Sequence, residues 1–507
     1  MNHTKDYRKY ERILKIVDGI AVGAGCFFLL CIFLEALHPA ILGDETFSMK
    51  LAEKSYADIV RYTAQDVHPP LYYWILKTVL SIGNLFSINP VISGKLASVI
   101  PWILLTAVAW FRIRREFPGT FGIFFLCLTG MPQMMRYAVE IRMYGWGMCF
   151  LVLAYLALCK IIRGAEEWRQ YVWFGLFGLL AAYTHYFSCV AAAFLYLSLG
   201  LYLFLYRRKS LKKWLLSAAI AVIGYLPWLP VIRRQMGAVK ADYWIEKISL
   251  STLFSFFQFL FNPKVYRWHS GTILGFLTFL LLAGTIVLLW RCSGEAGRET
   301  AFCATTGVGV PFFIIAVGVA ASICMKPVLV QRYLFFGLGT LWLGFAISIS
   351  KRKNPLLKTG VLVFLLCVTT MNLTHFMRVE RESREGWQQI EALLGTIREG
   401  DVILANLGQT RLALSYAMPE TQVCYYWRQQ TEELFKEMFG NLTDTRDEAM
   451  ILSYLTDENR IYFFDTLDND EFHFKEDCSD RNVFFTDAGI HCIEDVRVQV
   501  YIIEKGE

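Results

Sequence analysis

Along the first three-quarters of the chain, apolar residues run in blocks that show no polar face, and polar residues collect in the short gaps between them. Eleven such segments can be marked, at 17–38, 92–111, 119–136, 143–162, 170–184, 187–206, 213–229, 271–290, 302–324, 333–350 and 358–374. A helix that is apolar all round is buried or lipid-facing, and a perpendicular span needs about 20 such residues. The pattern predicts a polytopic α-helical membrane protein with about eleven transmembrane helices. The run 71–86 is apolar too, but it follows two prolines. It is read as an interfacial helix, because a span there would invert every later loop.

Beyond residue 374 the texture changes. Ser383 stands as a cap before a helical stripe of Trp387, Ile390 and Leu394, and Gly400-Asp401 turns the chain into a short buried strand at 402–405. Further strand-like runs occur at 422–426, 461–464 and 498–503, with helical material between them. This describes a small α/β domain, and about 130 residues suffice for a core of its own. The domains are therefore 1–374, which contains a first outer loop at 39–91, and 375–507.

Composition sharpens the division. Of 507 residues 55% are hydrophobic and only 19% charged, which does not fit a soluble multidomain enzyme. The overall charge of +6 conceals a split: residues 375–507 carry 13 Lys/Arg against 27 Asp/Glu, leaving the first 374 strongly basic. The basic clusters at 112–115, 207–213 and 351–353 fall in alternate short loops together with the basic N-terminus. Positive residues favour the cytoplasmic side, so these loops are inside. The loop 39–91 and the acidic domain are then extracytoplasmic, in a multi-pass protein of the plasma membrane. No small-residue cleavage pattern follows Leu34, so the first span reads as a retained signal anchor. Of 13 cysteines only Cys424, Cys478 and Cys492 lie in the tail, without CxxC spacing. Neither a zinc site nor a disulfide framework is predicted, although one pair in the tail stays open.

The candidate chemistry lies on the outer side. Asp44 and Glu45 are adjacent carboxylates at a membrane surface, where charge is costly and usually functional. Asp44 could act as a general base, or could simply cap a helix starting at Thr46. His68-Pro69-Pro70 gives an imidazole a fixed place at the entry of a helix, where it could bind phosphate, hydroxyl or metal, or merely shape a turn. Glu140, Arg142 and Tyr144 open the fourth span as a site wall or an interfacial anchor. His185 sits between two spans, a position often occupied by a satisfied interfacial residue. Lys326, Arg332 and Tyr333 surround an outer turn, and a guanidinium there matches phosphate geometry. No nucleotide-binding, HExxH or hydrolase motif with supporting context occurs.

In this order, the signal-anchor span, Asp44-Glu45, His68-Pro69-Pro70-Leu71, Glu140-x-Arg142-x-Tyr144, Thr184-His185-Tyr186 and Arg332-Tyr333 resemble the polytopic GT-C glycosyltransferases. The resemblance is to bacterial relatives of protein O-mannosyltransferases and lipid A aminoarabinose transferases, and it covers most of residues 10–374. It implies a polyprenyl-phosphate-linked sugar donor, an acceptor that is a glycan, lipid, wall polymer or protein, and no nucleic acid. It also implies Asp44 as catalytic base, with Glu45 as its companion and Glu140 as the acidic residue of the next outer loop. Some relatives have Lys where this chain has His68. The resemblance implies that no nucleotide sugar is required, and the first-loop carboxylates could also seat a divalent metal. The competing class is a lipid-linked-sugar flippase or transporter, but neither paired discontinuous helices nor repeat symmetry is visible.

Overall fold

The computed structural model describes residues 2–41, 43–238, 245, 247–264, 268–292, 294, 297–351, 354–426, 433–445, 447–467, 474–493 and 496–506. Apart from Lys351, the basic cluster at 351–353 lies outside them, as do parts of the outer loop 230–270 and the side chain of Cys492. The chain forms two compact units: Met1–Leu37, Asp66–Ile75 and Lys95–Phe376 in one, and His38–Gln65, Leu76–Gly94 and Met377–Glu507 in the other.

All eleven predicted segments contain helix, and among the described residues nine helices are long and apolar enough to cross a membrane. The two exceptions are Phe121–Gly130, with 10 residues, and Trp168–Thr184, with 17. Both are shorter than the ~20 residues of a perpendicular span. Met131 is extended, followed at once by Pro132, and this ends the first exception early. The run after the two prolines is a 15-residue helix, Leu71–Leu85, and is not among the spans.

Within the first unit, helix packing is close where side chains are small. A Cβ on Gly307 would lie 2.6 Å from the Thr340 carbonyl oxygen, so Arg298–Cys324 approaches its neighbour nearly backbone to backbone. Two buried polar groups of this bundle are tied to backbone: the Tyr155 hydroxyl donates to the Cys303 carbonyl at 2.6 Å, and the Trp102 indole to that of Leu128 at 2.9 Å. In lipid, a group left unsatisfied would cost several kcal/mol.

The second unit holds a six-stranded sheet: β1 (Val402–Ala405), β2 (Gln422–Tyr426), β3 (Leu442–Thr445), β4 (Ile461–Thr466), β5 (Val483–Ile493) and β6 (Val496–Lys505), in the order β3-β2-β1-β4-β6-β5. The first four in that order are parallel, and β6 runs antiparallel to both β4 and β5. Central β1 is buried along its whole length, as a parallel strand covered on both faces must be. Asp401 secures the turn before it, accepting from the backbone N–H groups of Arg398 and Arg460, each at 2.8 Å. The expected strands are all present. β3 and β5 were not anticipated, because β3 is a half-polar edge strand and β5 is interrupted by a bulge between Asp487 and Ile490. Cys424 and Cys478 are free thiols buried in the sheet's apolar core, so the described cysteines of the tail form no pair.

Two boundary expectations are corrected. Ser383 caps nothing: Pro355–Leu394 is one helix of 40 residues, although Trp387, Ile390 and Leu394 do form its buried stripe. No proline interrupts it after its first residue, so nothing in the local sequence forces a break. Asp44 is likewise not the cap of a helix beginning at Thr46. The helix is Gly43–Glu53, which places both carboxylates in its first turn, at the positive end of its dipole.

Helices Gly43–Glu53 and Tyr56–Thr63 of the first loop belong to the second unit because they pack on the sheet domain. A Cβ on Gly43 would lie 2.6 Å from the Gln409 carbonyl oxygen and 2.9 Å from its Cα. Phe47 packs against Phe435 with ring centroids 5.4 Å apart, and Glu437 accepts from Arg61 at 2.9 Å and from the Tyr62 hydroxyl at 2.7 Å. Gly43→Ala must therefore push backbone against backbone, at a cost of about 1–3 kcal/mol. Hydrogen exchange should show faster opening of residues 43–53 in this variant, with the transmembrane helices unaffected. Unchanged protection would mean that the contact does not hold the loop.

Candidate active site

The first unit gathers most of the predicted site residues at one end of its helices. His185 lies where helix Trp168–Thr184 stops and helix Tyr186–Tyr206 starts, and its extended backbone makes it the cap of the second helix. Its Nδ1 accepts from the Phe187 backbone N–H at 3.1 Å, so Nε2 carries the proton of the neutral ring. The ring is 3% exposed and packs on His68, Tyr333 and Phe336, with centroids 5.4, 4.7 and 4.7 Å away. Burial pushes its pKa well below the ordinary histidine range, and the nearby charges of His68, Arg142 and Arg332 push it the same way.

His68 is held from its own turn. Its Nδ1 lies 2.8 Å from the Asp66 carboxylate, an arrangement that fixes the ring and leaves Nε2 for a ligand. Arg142 is 5% exposed and sits in a tight turn in which its N–H donates to the Glu140 carbonyl at 2.7 Å. Arg332 is the second residue of the short 3-10 segment Gln331–Gly337, and the aromatic residues of that segment pack against the same cluster. Tyr137 stands edge-on to Tyr144 at 4.9 Å and lies against Phe335 at 4.5 Å. Burial, and then the charge of Glu140, raise the Tyr137 phenol well above its usual pKa, so it is a neutral hydroxyl. Glu140, Arg142, Arg332 and Tyr333 all act on Tyr144.

Beside the cluster is a cavity of about 670 Å³ that shares Tyr137 and Arg332 with it. Arg136, Lys264 and Arg332 give the cavity three cations, Ser251, Thr252 and Ser255 give it hydroxyls, and Phe256, Phe259 and Leu329 give it an apolar wall. Such a lining suits an anionic head attached to an apolar chain.

Seven predicted residues thus converge in this unit: His68, Glu140, Arg142, Tyr144, His185, Arg332 and Tyr333. Lys326 follows helix Arg298–Cys324 and is not among the charged groups that act on His185, Tyr137 or Tyr144. Asp44, partly exposed, and Glu45, 2% exposed, lie in the second unit. Among the described residues no three His, Cys, Asp or Glu side chains form a metal-ligand cluster. Sequence reasoning missed Asp66, whose signal was a carboxylate two residues before the histidine. It also missed the cavity cations Arg136 and Lys264, which carry no local motif.

No protein-family model matches the sequence, and no curated protein matches it. Solved structures do. The crystal structure of ArnT from Cupriavidus metallidurans in the apo state aligns with a TM-score of 0.59 at 12% identity, covering 95% of this chain and 98% of that one. The crystal structure of ArnT from the same organism bound to undecaprenyl phosphate aligns with a TM-score of 0.55, also at 12% identity, covering 94% and 97%. The chain has the ArnT fold. ArnT is a lipid A aminoarabinose transferase with GT-C architecture, so the fold expected from the ordered motifs is the fold found. This is a polytopic helical membrane protein with a C-terminal α/β domain.

The state of His185 sets a pH limit. Its folded pKa is depressed, so between about pH 6.5 and the folded value the unfolded chain binds a proton that the folded chain refuses. Stability is therefore unaffected by this group above about pH 6.5 and falls as pH drops below it, by at most about 1.4 kcal/mol per pH unit. His185→Asn retains a capping oxygen without the titration. Thermal unfolding of the purified protein at pH 7.5 and 5.5 should show a smaller acid loss in the variant. An equal loss in both proteins would assign the effect elsewhere.

Proposed function

We propose that this protein is an integral-membrane glycosyltransferase that moves a sugar from a polyprenyl-phosphate-linked donor to an acceptor at the outer face of the membrane. The observation that carries the reading is the cavity lined by Arg136, Lys264 and Arg332 against apolar residues, in a chain whose fold matches ArnT along nearly its whole length. One of the ArnT structures is bound to undecaprenyl phosphate. A polyprenyl phosphate has the same two halves as the cavity lining.

In this reading the donor's phosphate is stabilised by Arg332, Arg142 and His68, with Tyr144, Tyr333 and His185 shaping the surrounding wall and Lys326 adding outer-face charge. Asp44 takes the proton of the acceptor hydroxyl or amine as the acceptor atom attacks the anomeric carbon. The bond between that carbon and the phosphate oxygen breaks, the electron pair goes to the phosphate, and the anomeric configuration inverts. Glu45 and Glu140 complete the acidic set. A lipid phosphate leaves readily, so alignment, one base and cationic stabilisation suffice. The sugar is a hexose or pentose, and the acceptor is a glycan, lipid, wall polymer or protein.

Reconstitution with polyprenyl-phosphate sugars tests this assignment. Asp44→Asn should reduce transfer by roughly 10²–10⁴ while leaving the amount of inserted protein unchanged. Arg332→Lys keeps the charge without the planar fork, and Arg332→Gln loses both, so donor use should fall in the order Arg, Lys, Gln. Near-normal turnover by Asp44→Asn would remove it from the mechanism. Equal donor kinetics for Arg and Lys would reduce Arg332 to an interfacial anchor.

The orientation is part of the same proposal: N-terminus cytoplasmic, with residues 39–91 and the α/β domain outside. Single cysteines placed in those outer regions should react with an impermeant reagent in intact cells, whereas cysteines at 207–213 should react only after lysis. Labelling of 39–91 and 375–507 from opposite sides would defeat the topology.

A further inference from the structure

The end of the bundle remote from His185 carries a second built feature. Helix Tyr144–Ile162 begins in the aromatic cluster and ends with Lys160 in its last turn, and Trp168–Thr184 returns to His185. At about 1.5 Å per residue, the two ends lie roughly 28 Å apart. There, Arg112, Arg115, Lys160 and Arg169 line a separate cavity of about 370 Å³.

The charges in this cavity are not balanced. Glu116 also lines it, but its carboxylate accepts from Arg112 Nε at 2.8 Å, and Arg112 is further committed to the Leu156 carbonyl at 3.3 Å. Arg169 meets Glu167 at 3.3 Å in a pair whose side chains are both about two-thirds exposed, so that pair is weak. Among the described residues, Arg115 and Lys160 have no carboxylate partner. Two cations converging on one recess repel each other unless an anion lies between them.

The walls say what carries that anion. Phe111 and Trp173 line the same cavity and are 64% and 45% exposed, at the ends of apolar helices where aromatic side chains meet the headgroup layer. The chain around Phe111 is not ordinary helix: Ala109–Ile113 is a π-helical turn, a widening common at functional sites. It contributes both Phe111 and Arg112 to the cavity.

We propose that this cavity binds the phosphate headgroup of an anionic membrane phospholipid. Arg115 and Lys160 hold the phosphate, and Phe111 and Trp173 flank the start of the acyl chains. The volume is within the range of small-ligand sites, and basic recesses between membrane helices are suited to such lipids. The site is separate from the donor cavity and does not depend on the transferase reading.

The test uses the full chain, purified and delipidated, followed by thermal unfolding with phosphatidylglycerol, with phosphatidylethanolamine of the same acyl chains, or with inorganic phosphate. Phosphatidylglycerol should raise the melting temperature of the native protein, and the other two should not. Arg115→Gln combined with Lys160→Gln should weaken the apparent affinity for phosphatidylglycerol at least tenfold. If the double variant does not fold, Arg115→Gln alone, at an exposed position, should weaken it about threefold. Equal shifts from both phospholipids, the same shift from inorganic phosphate, or an unaltered response in the variants would overturn the assignment.

Discussion

Hydrocarbon cannot satisfy a polar group, and this single constraint arranges the rest of the molecule. A chain that crosses the bilayer repeatedly must make its backbone bonds within helices, and must move charges to helix ends or pair them inside protein. The result is visible in the first unit, where the buried hydroxyl of Tyr155 and the indole of Trp102 each reach a carbonyl of another segment. Two ionisable groups of the candidate site lie outside helices, His185 in the gap between two helices and Arg142 in a turn before a third.

The same constraint gives the candidate site its electrostatic character. Arg142 and Arg332 both bear on His185, and burial already disfavours a charge on that ring. The neutral imidazole spends its lone pair on capping a helix. His185 is therefore scaffold at the centre of a cationic site, and the positive field is left to the guanidinium groups. His68 differs: Asp66 engages one ring nitrogen and so leaves the other available to a ligand. Two histidines whose rings lie 5.4 Å apart thus have opposite duties, set by their hydrogen bonds.

What could be read from the sequence follows the range of the interactions involved. Apolar runs report directly on helices in lipid, so every marked segment contains helix. Strands whose residues are buried on both faces, such as β1 and β4, stood out, whereas polar β3 depends on pairing with β2 and gave no signal of its own. Ser383 was misread because a cap is defined by what precedes it, and the preceding helix continues through it. In the candidate site, the residues brought together that stand next to a turn signal were legible: His68 before two prolines, Arg142 after Glu140, and Arg332 at the turn before 333–350. Arg136 and Lys264 were not, since only the folded bundle brings them to one cavity.

The boundary drawn at residue 374 shows the same limit from another side. Charge and hydropathy change there, but packing does not follow the change, because residues 38–65 share a compact unit with the α/β domain. Gly43 explains why so early a segment can lie so close to residue 409: without a side chain, its backbone fits against that of Gln409. Phe47 and Glu437 then fix the orientation of the helix that begins with Asp44 and Glu45. A carboxylate in the first turn of a helix moves only as that helix moves, so the contacts that hold the helix also limit where the carboxylates can go. The α/β domain therefore bears on the placement of Asp44 and Glu45 through the packing of their helix.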